Sequence, residues 1–327
     1  MPPPLPAVTQ SRKPVAVIAL GGNALAPAGE SPTVYDQFRH ARQSLGPIVE
    51  LVRAGWDVCV VHGNGPQVGD ELVRNEVARE QASPLPLGVL VAATAGWIGY
   101  MIQQSLENAL MRAGSPRQVA TVITQVEVDP ADPAMRTPTK FIGRPVSAER
   151  AAEISAEGHI VKKDGHGNLR RVVGSPAPQA ICELPVVKAL MDAGVVVVAC
   201  GGGGAPVYRH PTLGWEGIDA VVDKDLAAAV LARDLGAELL LILTDVDAVY
   251  ADWGTPNQRP LERLTIDDAL EMDRRKAFGE GSMAPKIRAA MDFVRRTNGR
   301  AIITSLDCGQ KAVHGEAGTT ITATETA

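Results

Sequence analysis

The sequence predicts an α/β protein built on a mainly parallel β-sheet that helices cover on both faces. Short apolar runs rich in β-branched residues recur along the 327 residues, and such runs are typical of strands buried on both faces. Stretches with helical periodicity separate most of these runs, which predicts parallel strands joined by helices. Glycine-rich turns follow several of the runs, and sheets of this kind bind ligands at the carboxyl ends of their strands.

The first part of the chain alternates strand and helix. The predicted elements are a strand at 15–20, a helix at 36–53, a strand at 57–61, a long helix at 87–112 and a strand at 118–128. The strand at 15–20 ends in Gly21-Gly22-Asn23, and the strand at 57–61 ends in a second glycine turn at 62–69. Because both turns follow a strand, we expect them to meet in one crevice.

Residues 85–102 form a stretch of 18 residues without a charged side chain, which reaches the lower length of a membrane span. The stretch follows two prolines, contains three glycines and continues into Gln103-Gln104. We interpret it as a buried or interface helix, and we expect no contact with a membrane.

The composition changes between residues 129 and 178, which hold several prolines and a turn-rich loop. A helix at 148–156 and a hairpin of strands at 160–163 and 169–173 are predicted there. We interpret 129–178 as a small subdomain inserted outside the main sheet.

The second part of the chain begins with a helix at 183–193 and a strand at 195–200, followed by Gly201–Gly204. Asp223-Lys224-Asp225 then precedes a helix at 226–233, and a strand, a glycine turn and a helix that starts with charged residues can bind an anion. A plain helix cap with a tight turn explains the same residues equally well. The remaining elements are a strand at 238–243, a helix at 266–276, a glycine-rich loop at 278–286, a helix at 287–296 and a strand at 300–304.

The composition narrows the classes of function. The formal net charge of −5 predicts no general attraction to nucleic acid, so an anionic substrate must be bound by local lysines. The four cysteines are scattered without a Cys-x-x-Cys pair, which argues against a zinc site or a disulfide framework. We therefore expect a reducing, cytoplasmic compartment. Residues 1–13 are proline-rich, lack the apolar core of a signal peptide and are interpreted as a loose tail.

Several common catalytic motifs are absent from the sequence. It contains no Gly-x-x-x-x-Gly-Lys-Ser/Thr, no Gly-x-Gly-x-x-Gly after a strand, no Gly-x-Ser-x-Gly and no pair of histidines at helical spacing. What remains is a set of glycine turns with Lys224 and Lys286 in or beside them and Lys140 in the insertion. Phosphoryl transfer depends on positioning and charge stabilisation, which backbone N–H groups and lysines supply.

The motifs of this sequence, taken together and in order, resemble those of the carbamate kinases, a branch of the amino acid kinase family. The matching stretches cover most of residues 15–305: Ala19-Leu-Gly-Gly-Asn-Ala-Leu25, His62-Gly-Asn-Gly-Pro-Gln-Val-Gly69, Gly96-Trp-Ile-Gly-Tyr100, Pro138-Thr-Lys140, Gly201-Gly-Gly-Gly204, Val222-Asp-Lys-Asp-Leu-Ala227, Leu243-Thr-Asp-Val-Asp247 and Gly281-Ser-Met-Ala-Pro-Lys286. The resemblance implies a three-layer αβα sandwich with a protruding subdomain, a homodimer, and ATP or ADP with Mg²⁺. It also implies ATP-dependent phosphorylation of carbamate to carbamoyl phosphate, used in reverse to make ATP in arginine catabolism.

The resemblance also divides the chain. Residues 14–193, with the insertion 129–178, are expected to form a lobe for carbamate or carbamoyl phosphate. Residues 194–313 are expected to form the nucleotide lobe, and 314–327 a C-terminal tail.

Roles for individual residues follow from the matched motifs. Catalytic roles are expected for Lys140, Lys224, Asp225 and Lys286, with Asp225 orienting the ammonium groups. The residues expected to bind the substrate and its phosphoryl group are Gly21, Gly22, Asn23, Gly63, Asn64, Gly65, Gly202 and Gly203. The residues expected to line the nucleotide pocket are Thr244, Asp245, Val246, Tyr250, Met283 and Pro285. His62 is expected to be structural, because carbamate is already an anionic nucleophile, and no protein ligand for Mg²⁺ is identified.

One detail separates branches of the family. Relatives such as acetylglutamate kinase carry a lysine two residues before the glycine pair, where this sequence has Ala19, whereas carbamate kinases carry a lysine in the insertion, as Lys140 does. Two departures from the pattern are Phe141, where proline is common, and Gly174, before Ser175-Pro176, where proline is more usual. Both lie in or beside the insertion. They therefore affect the expected geometry with which the insertion closes over the site more than the expected chemistry.

The sequence alone leaves two other functions open. The chain resembles other acyl-phosphate or phosphonate kinases of the family, and a nucleotide-binding regulator without catalysis would share the same fold. The presence of Lys140, Lys224 and Lys286 argues against such a regulator.

Overall fold

The structure is a computed structural model and describes residues 12–22, 25, 33–165, 167–275, 277, 278 and 283–324. The predicted tail at 1–13 lies largely outside these residues, and Asn23 and residues 279–282 of the loop 278–286 lie outside them too. The strands of the described residues are β1 (Val15–Leu20), β2 (Asp57–His62), β3 (Val119–Thr121), β4 (Gln125–Val128), β5 (Lys140–Ile142), β6 (Ile160–Lys163), β7 (Leu169–Val173), β8 (Pro178–Ile181), β9 (Val196–Val198), β10 (Ala205–His210), β11 (Gly214–Gly217), β12 (Leu239–Thr244), β13 (Val249–Ala251), β14 (Arg259–Leu261), β15 (Arg263–Thr265), β16 (Arg300–Ser305) and β17 (Thr319–Thr322).

The helices follow the same order along the chain. They are α1 (Val34–Gln43), α2 (Gly46–Arg53), α3 (Gly65–Ala78), α4 (Leu87–Arg112), α5 (Pro133–Arg136), α6 (Ala148–Ala156), α7 (Leu184–Asp192), α8 (Lys224–Leu235), α9 (Ile266–Arg274), α10 (Met283–Thr297) and α11 (Gly309–Val313).

Eight strands form the main sheet, in the order β15-β17-β16-β12-β1-β2-β9-β3. All neighbouring pairs are parallel except β16 and β17, so the prediction of a mainly parallel sheet is confirmed. Smaller sheets have the orders β11-β10-β4-β8, β5-β7-β6 and β13-β14. The three strands β5, β7 and β6 belong to the predicted insertion and form a sheet separate from the main one.

The two faces of the main sheet belong to different hydrophobic clusters, which gives the predicted three layers. Along β1, Val15, Val17 and Ala19 pack in a cluster with residues of α8 and α10, whereas Ala16, Ile18 and Leu20 pack with residues of α1, α2 and α4. All six β1 residues are buried, because a strand covered on both faces has no solvated side.

The long helix α4 has the predicted bounds, and its buried residues include Leu90, Ile98 and Leu106. Among the described residues, we find no helix with the length and hydropathy that crossing a bilayer requires. The interpretation of 85–102 as a buried helix is consistent with this packing.

Four predicted elements differ from the structure. The helix predicted at 36–53 is two helices, since the chain turns at Ser44 and α2 starts at Gly46-Pro47, where the missing proline N–H is tolerated. The strand predicted at 118–128 is split between β3 in the main sheet and β4 in another sheet. Residues 65–69, predicted as turn, already belong to α3.

The fourth difference concerns the C-terminus. Residues 314–327 were predicted as a tail, but β17 lies inside the main sheet between β15 and β16. It pairs antiparallel with β16 and parallel with β15, a long-range arrangement that the local sequence does not specify.

Candidate active site

Three predicted turns leave the main sheet from strands that lie side by side. Leu20 at the end of β1 is aligned with Leu243 of β12 and with His62 of β2. The N–H of Gly21 donates to the Leu243 carbonyl at 3.0 Å, and the N–H of Gly63 donates to the Leu20 carbonyl at 3.0 Å. The segments after β1, β2 and β12 therefore start at the same level of the sheet.

Gly22, Gly63 and the side chain of Lys224 border one small space. A Cβ on Gly63 would lie 3.1 Å from the Gly22 nitrogen and 3.2 Å from Cδ of Lys224. Any side chain at Gly63 would therefore occupy the space where these groups meet. Gly21 lies directly beside it, and a Cβ there would be 3.1 Å from the Leu243 oxygen and 3.8 Å from Cα of Thr244.

The third glycine turn follows β9 and contacts the second turn. Gly202 has φ 69°, and a Cβ on it would lie 2.2 Å from Nδ2 of Asn64. Gly203 has φ 94°, and its Cβ would lie 2.2 Å from the Val222 oxygen, just before α8. Left-handed backbone and close approach both require glycine at these two positions.

Asn64 is held by a residue that the sequence analysis missed. Asn64 is 2% exposed, and its Nδ2 donates to Oγ1 of Thr94 at 2.9 Å. The Thr94 hydroxyl in turn donates to the Leu90 carbonyl of α4 at 2.8 Å. In the sequence, the sign of this role is that Thr94 is a threonine within the uncharged, mostly apolar stretch 85–102.

Asp225 joins the two lysines predicted to bind phosphate. Its Oδ1 accepts a hydrogen bond from Nζ of Lys224, and its Oδ2 lies 3.3 Å from Nζ of Lys286. Lys224 and Asp225 open α8, and Lys286 lies in the first turn of α10. The exposed fractions of the side chains are 12% for Lys224, 11% for Lys286 and 3% for Asp225, so Lys286 is not a solvated surface lysine.

Burial lowers the pKa of Lys224 below its ordinary value, the charge of Asp225 opposes this shift, and the charge of Lys286 adds to it. Burial disfavours the ammonium form, and a second ammonium ion nearby has the same effect. An anion bound between Lys224 and Lys286 would therefore stabilise both charges.

Lys140 reaches the same region from the insertion. Its Nζ lies 2.5 Å from Oδ2 of Asp223, the residue that caps α8. Burial tends to raise the pKa of Asp223, but the charges of Lys140 and Lys224 outweigh burial and hold this pKa below its usual range. Sequence analysis placed Asp223 only at the start of a helix, because a partner 83 positions away leaves no local signal.

Three lysines of the site share two carboxylates of the described residues. Lys140 pairs with Asp223, whereas Lys224 and Lys286 both pair with Asp225. The N-termini of α8 and α10 add the partial positive charge of helix dipoles. We name the space between Gly22, Gly63, Lys140, Lys224 and Lys286 the anion cradle; its backbone and charge suit a phosphoryl group.

His62 borders this region but has the properties of a structural residue. It is 1% exposed, and burial lowers its pKa from 6.5 to about 4. Its Nδ1 lies 3.0 Å from the Gly63 carbonyl, which indicates that Nδ1 donates the hydrogen bond. The ring is therefore neutral at pH 7 and packs under Gly201, whose Cβ would lie 2.6 Å from Nε2.

The predicted nucleotide residues fall on two segments, one after β12 and one at the start of α10. Thr244 ends β12 and is 9% exposed, while Asp245 and Val246 follow it, with Asp245 exposed to solvent. Tyr250 lies in β13 and donates its hydroxyl to Asp247 Oδ1 at 2.8 Å. Met283 and Pro285 lie in the first turn of α10, next to Lys286. Gly65, the last predicted substrate residue, begins α3.

The two departures noted in the sequence have local structural explanations. The guanidinium of Arg170 lies 5.5 Å from the ring centroid of Phe141, a cation–π contact within the insertion. A Cβ on Gly174 would lie 2.8 Å from Sδ of Met135, so glycine allows α5 to approach closely.

Comparisons with known proteins found similar chains over nearly the whole length of this one. The model of the amino acid kinase family matches residues 14–305. The chain is 38% identical over 309 residues to a carbamate kinase from Pyrococcus horikoshii, covering 94% of this chain and 98% of the relative. It is 45% identical over 309 residues to a carbamate kinase from Halobacterium salinarum, covering 93% and 97%.

Other relatives extend this picture. The chain is 42% identical over 309 residues to the carbamate kinase-like protein YqeA of Escherichia coli, covering 93% of this chain and 98% of the relative. A carbamate kinase structure from Giardia lamblia bound to citric acid matches with a TM-score of 0.89 at 37% identity, covering 95% and 98%. The same enzyme bound to AMP-PNP matches with a TM-score of 0.86 at 37% identity and the same coverage.

Proposed function

The chain belongs to the amino acid kinase family, and from that premise we propose that it transfers a phosphoryl group reversibly between ATP and carbamate, giving ADP and carbamoyl phosphate. One observation supports this most strongly: Asp225 pairs with the ammonium groups of both Lys224 and Lys286, and the Lys224 side chain borders the same space as Gly22 and Gly63. Carbamate is a small planar anion, which suits a site bordered by glycine backbone rather than by a large apolar pocket.

Each group in the cradle has a role in this reaction. In the ATP-forming direction, a terminal oxygen of ADP forms the new P–O bond while the bond between phosphorus and the carbamoyl oxygen breaks, and carbamate leaves as an anion. The transition state spreads negative charge over the phosphoryl oxygens. We assign Lys224 to the transferring group, Lys286 to the nucleotide phosphates and Lys140 to the phosphoryl oxygens from the side of the insertion. Asp225 orients Lys224 and Lys286.

Nucleotide and metal ion fit the residues present. We assign the segments 244–250 and 283–285 to the nucleotide, because Thr244 lies beside Gly21 and residues 283–285 directly precede Lys286. A similar carbamate kinase from Giardia lamblia was solved with AMP-PNP, which supports nucleotide binding by this fold. Both oxygens of Asp225 are engaged by lysines, and the described residues hold no cluster of three or more acidic, histidine or cysteine side chains suited to a metal ion. Mg²⁺ would bind through nucleotide phosphates and water and would neutralise phosphate charge.

We further propose that the chain forms a homodimer through the side of the molecule where the main sheet ends at β3. An edge strand presents unpaired backbone groups, and exposed apolar residues lie close to it, with Val89 and Tyr100 on α4 and Ile123 just after β3. The same helix contains most of the stretch 85–102, which the sequence predicts to be a buried or interface helix. Sedimentation of the wild-type chain and of Tyr100→Arg tests it: a wild-type dimer that the variant dissociates is expected, and a monomeric wild type would contradict it.

The cellular setting follows from the family resemblance. We propose a cytoplasmic enzyme that makes ATP from carbamoyl phosphate in arginine catabolism. The four free cysteines, of which Cys59 and Cys200 are buried, support a reducing compartment.

An ATP-forming assay with ADP, Mg²⁺ and carbamoyl phosphate tests the function. Purified folded protein is expected to form ATP, and a panel with acetylglutamate, aspartate and fosfomycin in the ATP-consuming direction is expected to show no turnover. Turnover of a panel substrate would assign another reaction of the family, and nucleotide binding without turnover of any substrate would identify a regulator.

A further inference from the structure

The ion pair between Lys140 and Asp223 links the insertion to the main body across 83 positions of sequence. We propose that Asp223 is a positioning residue whose carboxylate holds Lys140 in the anion cradle before the phosphoryl group arrives. The inference rests on the proposed function, because it assigns Asp223 to the reaction through a lysine that contacts the substrate.

The two oxygens of Asp223 have different partners. Oδ1 accepts the N–H groups of Asp225 at 2.9 Å and of Leu226 at 3.4 Å, so it caps α8. Oδ2 faces the insertion and binds Nζ of Lys140. The cap fixes the carboxylate to the same helix end that carries Lys224 and Asp225, and the second oxygen is thereby aimed at a fixed place beside the cradle.

The backbone around Lys140 also approaches this helix end. Lys140 begins β5 and is paired with Val173 of β7. Just after β7, the Gly174 carbonyl accepts the N–H of Val221 at 3.0 Å, two residues before Asp223. The insertion is therefore attached to the main body next to the capping residue, and the ion pair extends this attachment to the reactive side chain.

A counterion is needed at this place for two reasons. Lys140 is the most exposed of the three lysines, with 34% of its side chain accessible, so without a partner its long stem would sample many rotamers. Asp223 also acts electrostatically on Lys224, where its charge opposes the lowering of the lysine pKa by burial. Asp223 therefore links the two lysines and restricts Lys140 to conformations beside the helix end that carries Lys224.

Asp223→Asn tests the inference without removing the helix cap. Asparagine caps helices as well as aspartate does, but a neutral amide does not hold the ammonium of Lys140. In the ATP-forming assay, we expect kcat to fall about 10- to 100-fold, below the loss for removing a direct donor. KM for ADP is expected to stay within about twofold, because the nucleotide is assigned to Lys286 and to other segments.

A double variant separates positioning from a general structural defect. If Asp223 acts through Lys140, Lys140→Met combined with Asp223→Asn is expected to be as slow as Lys140→Met alone. Asp268→Asn is the matched control, because the Asp268 carboxylate also accepts hydrogen bonds at a helix start, that of α9, from the N–H and the hydroxyl of Thr265, outside the cradle. Its kcat is expected to equal that of the wild type.

Hydrogen exchange provides a readout that does not depend on activity. Asp223→Asn is expected to speed exchange across β5 relative to the wild type, and Asp268→Asn is expected to leave it unchanged. The inference is overturned if Asp223→Asn keeps wild-type kcat, or if its loss of kcat multiplies with that of Lys140→Met. It is also overturned if Asp223→Asn is faster than the wild type, which would mean that Asp223 holds Lys140 away from the cradle. A wild type that forms no ATP would overturn the proposed function, and unchanged exchange at β5 would separately overturn the positioning role.

Discussion

The chemistry of the cradle depends on the absence of a side chain at Gly63. A methyl group there would lie 3.1 Å from the Gly22 nitrogen and 3.2 Å from Cδ of Lys224, which places it where the phosphoryl group is proposed to bind. Unlike Gly202 and Gly203, Gly63 has no left-handed backbone, so alanine adds bulk without backbone strain. A substitution at Gly63 is therefore expected to change substrate binding more than the free energy of unfolding.

We predict that Gly63→Ala lowers kcat/KM for carbamoyl phosphate by about 10²-fold or more, as expected when an amide and a lysine are displaced from a transition state. The unfolding free energy should change by less than about 1 kcal/mol. Steady-state kinetics and urea unfolding measure the two quantities. Gly217→Ala, at a glycine of β11 where a Cβ would meet nothing within 4 Å, is the control. Equal kcat/KM in the two variants would show that Gly63 does not border the reacting group.

A second residue-level consequence concerns acid. The pKa of His62 is 6.5 in an unfolded chain and about 4 in the folded one, where burial disfavours the charged ring. Between these values the unfolded state binds more protons, so the unfolding free energy falls as pH decreases through this window.

We predict that the wild type loses about 3 kcal/mol more than His62→Gln between pH 7 and pH 4, at roughly 1.4 kcal/mol per pKa unit. Urea unfolding at several pH values measures the difference in slope, which is informative even where the variant is less stable throughout. Parallel slopes would mean that His62 is solvated or already charged in the folded protein.

At the scale of elements, the insertion is attached to α3 by a group of ion pairs. Glu76 of α3 binds Arg150 of α6 and lies 3.8 Å from Arg171 of β7, and Arg144 lies 3.1 Å from Asp70. Burial lowers the pKa of Arg171, whose side chain is 16% exposed. Since this sheet carries Lys140, its attachment also affects the cradle.

Glu76→Gln is predicted to weaken this attachment by about 1–3 kcal/mol, because it removes the carboxylate that Arg150 and Arg171 share. Arg150 keeps Glu153 as a partner, whereas Arg171 loses the carboxylate of its ion pair. Hydrogen exchange in β6 and β7 should become faster, with a lower kcat, while exchange in α8 stays the same. The control is Glu71→Gln, since Glu71 pairs with Arg74 on the exposed side of α3. Should both variants exchange alike, the ion pairs to the insertion would contribute no measurable stability.

The elements also show what local sequence can specify. The predicted bounds of α4 and α6 agree with the structure, and the hairpin of β6 and β7 followed from its turn. By contrast, the run at 195–200 ends early as a strand because Cys200 adopts a left-handed conformation, with φ 50°, to enter the glycine turn. Thr124 accepts the Cys200 N–H at 3.0 Å, just where the predicted strand 118–128 divides between two sheets. Such changes depend on contacts between distant segments.

At the scale of the molecule, the fold brings together groups that lie far apart in sequence. The predicted residues Gly22, Gly63, Lys140, Lys224, Asp225 and Lys286 converge because β12, β1, β2 and β9 are adjacent and the insertion folds over the end of α8. The order of the sequence motifs predicted this convergence. Asn23, another predicted site residue, lies outside the described residues. Asp223 and Thr94 could not be assigned from sequence, since their roles depend on partners in other elements.

The most direct test of the account is the rate of ATP formation from ADP, Mg²⁺ and carbamoyl phosphate by the wild type and by Lys224→Ala. Because Lys224 borders both glycine turns and shares Asp225 with Lys286, its loss should reduce kcat by about 10²- to 10³-fold, with the circular dichroism spectrum unchanged. Equal rates for the wild type and Lys224→Ala, or no ATP formed by folded wild-type protein, would contradict the claim that these groups form one site for phosphoryl transfer.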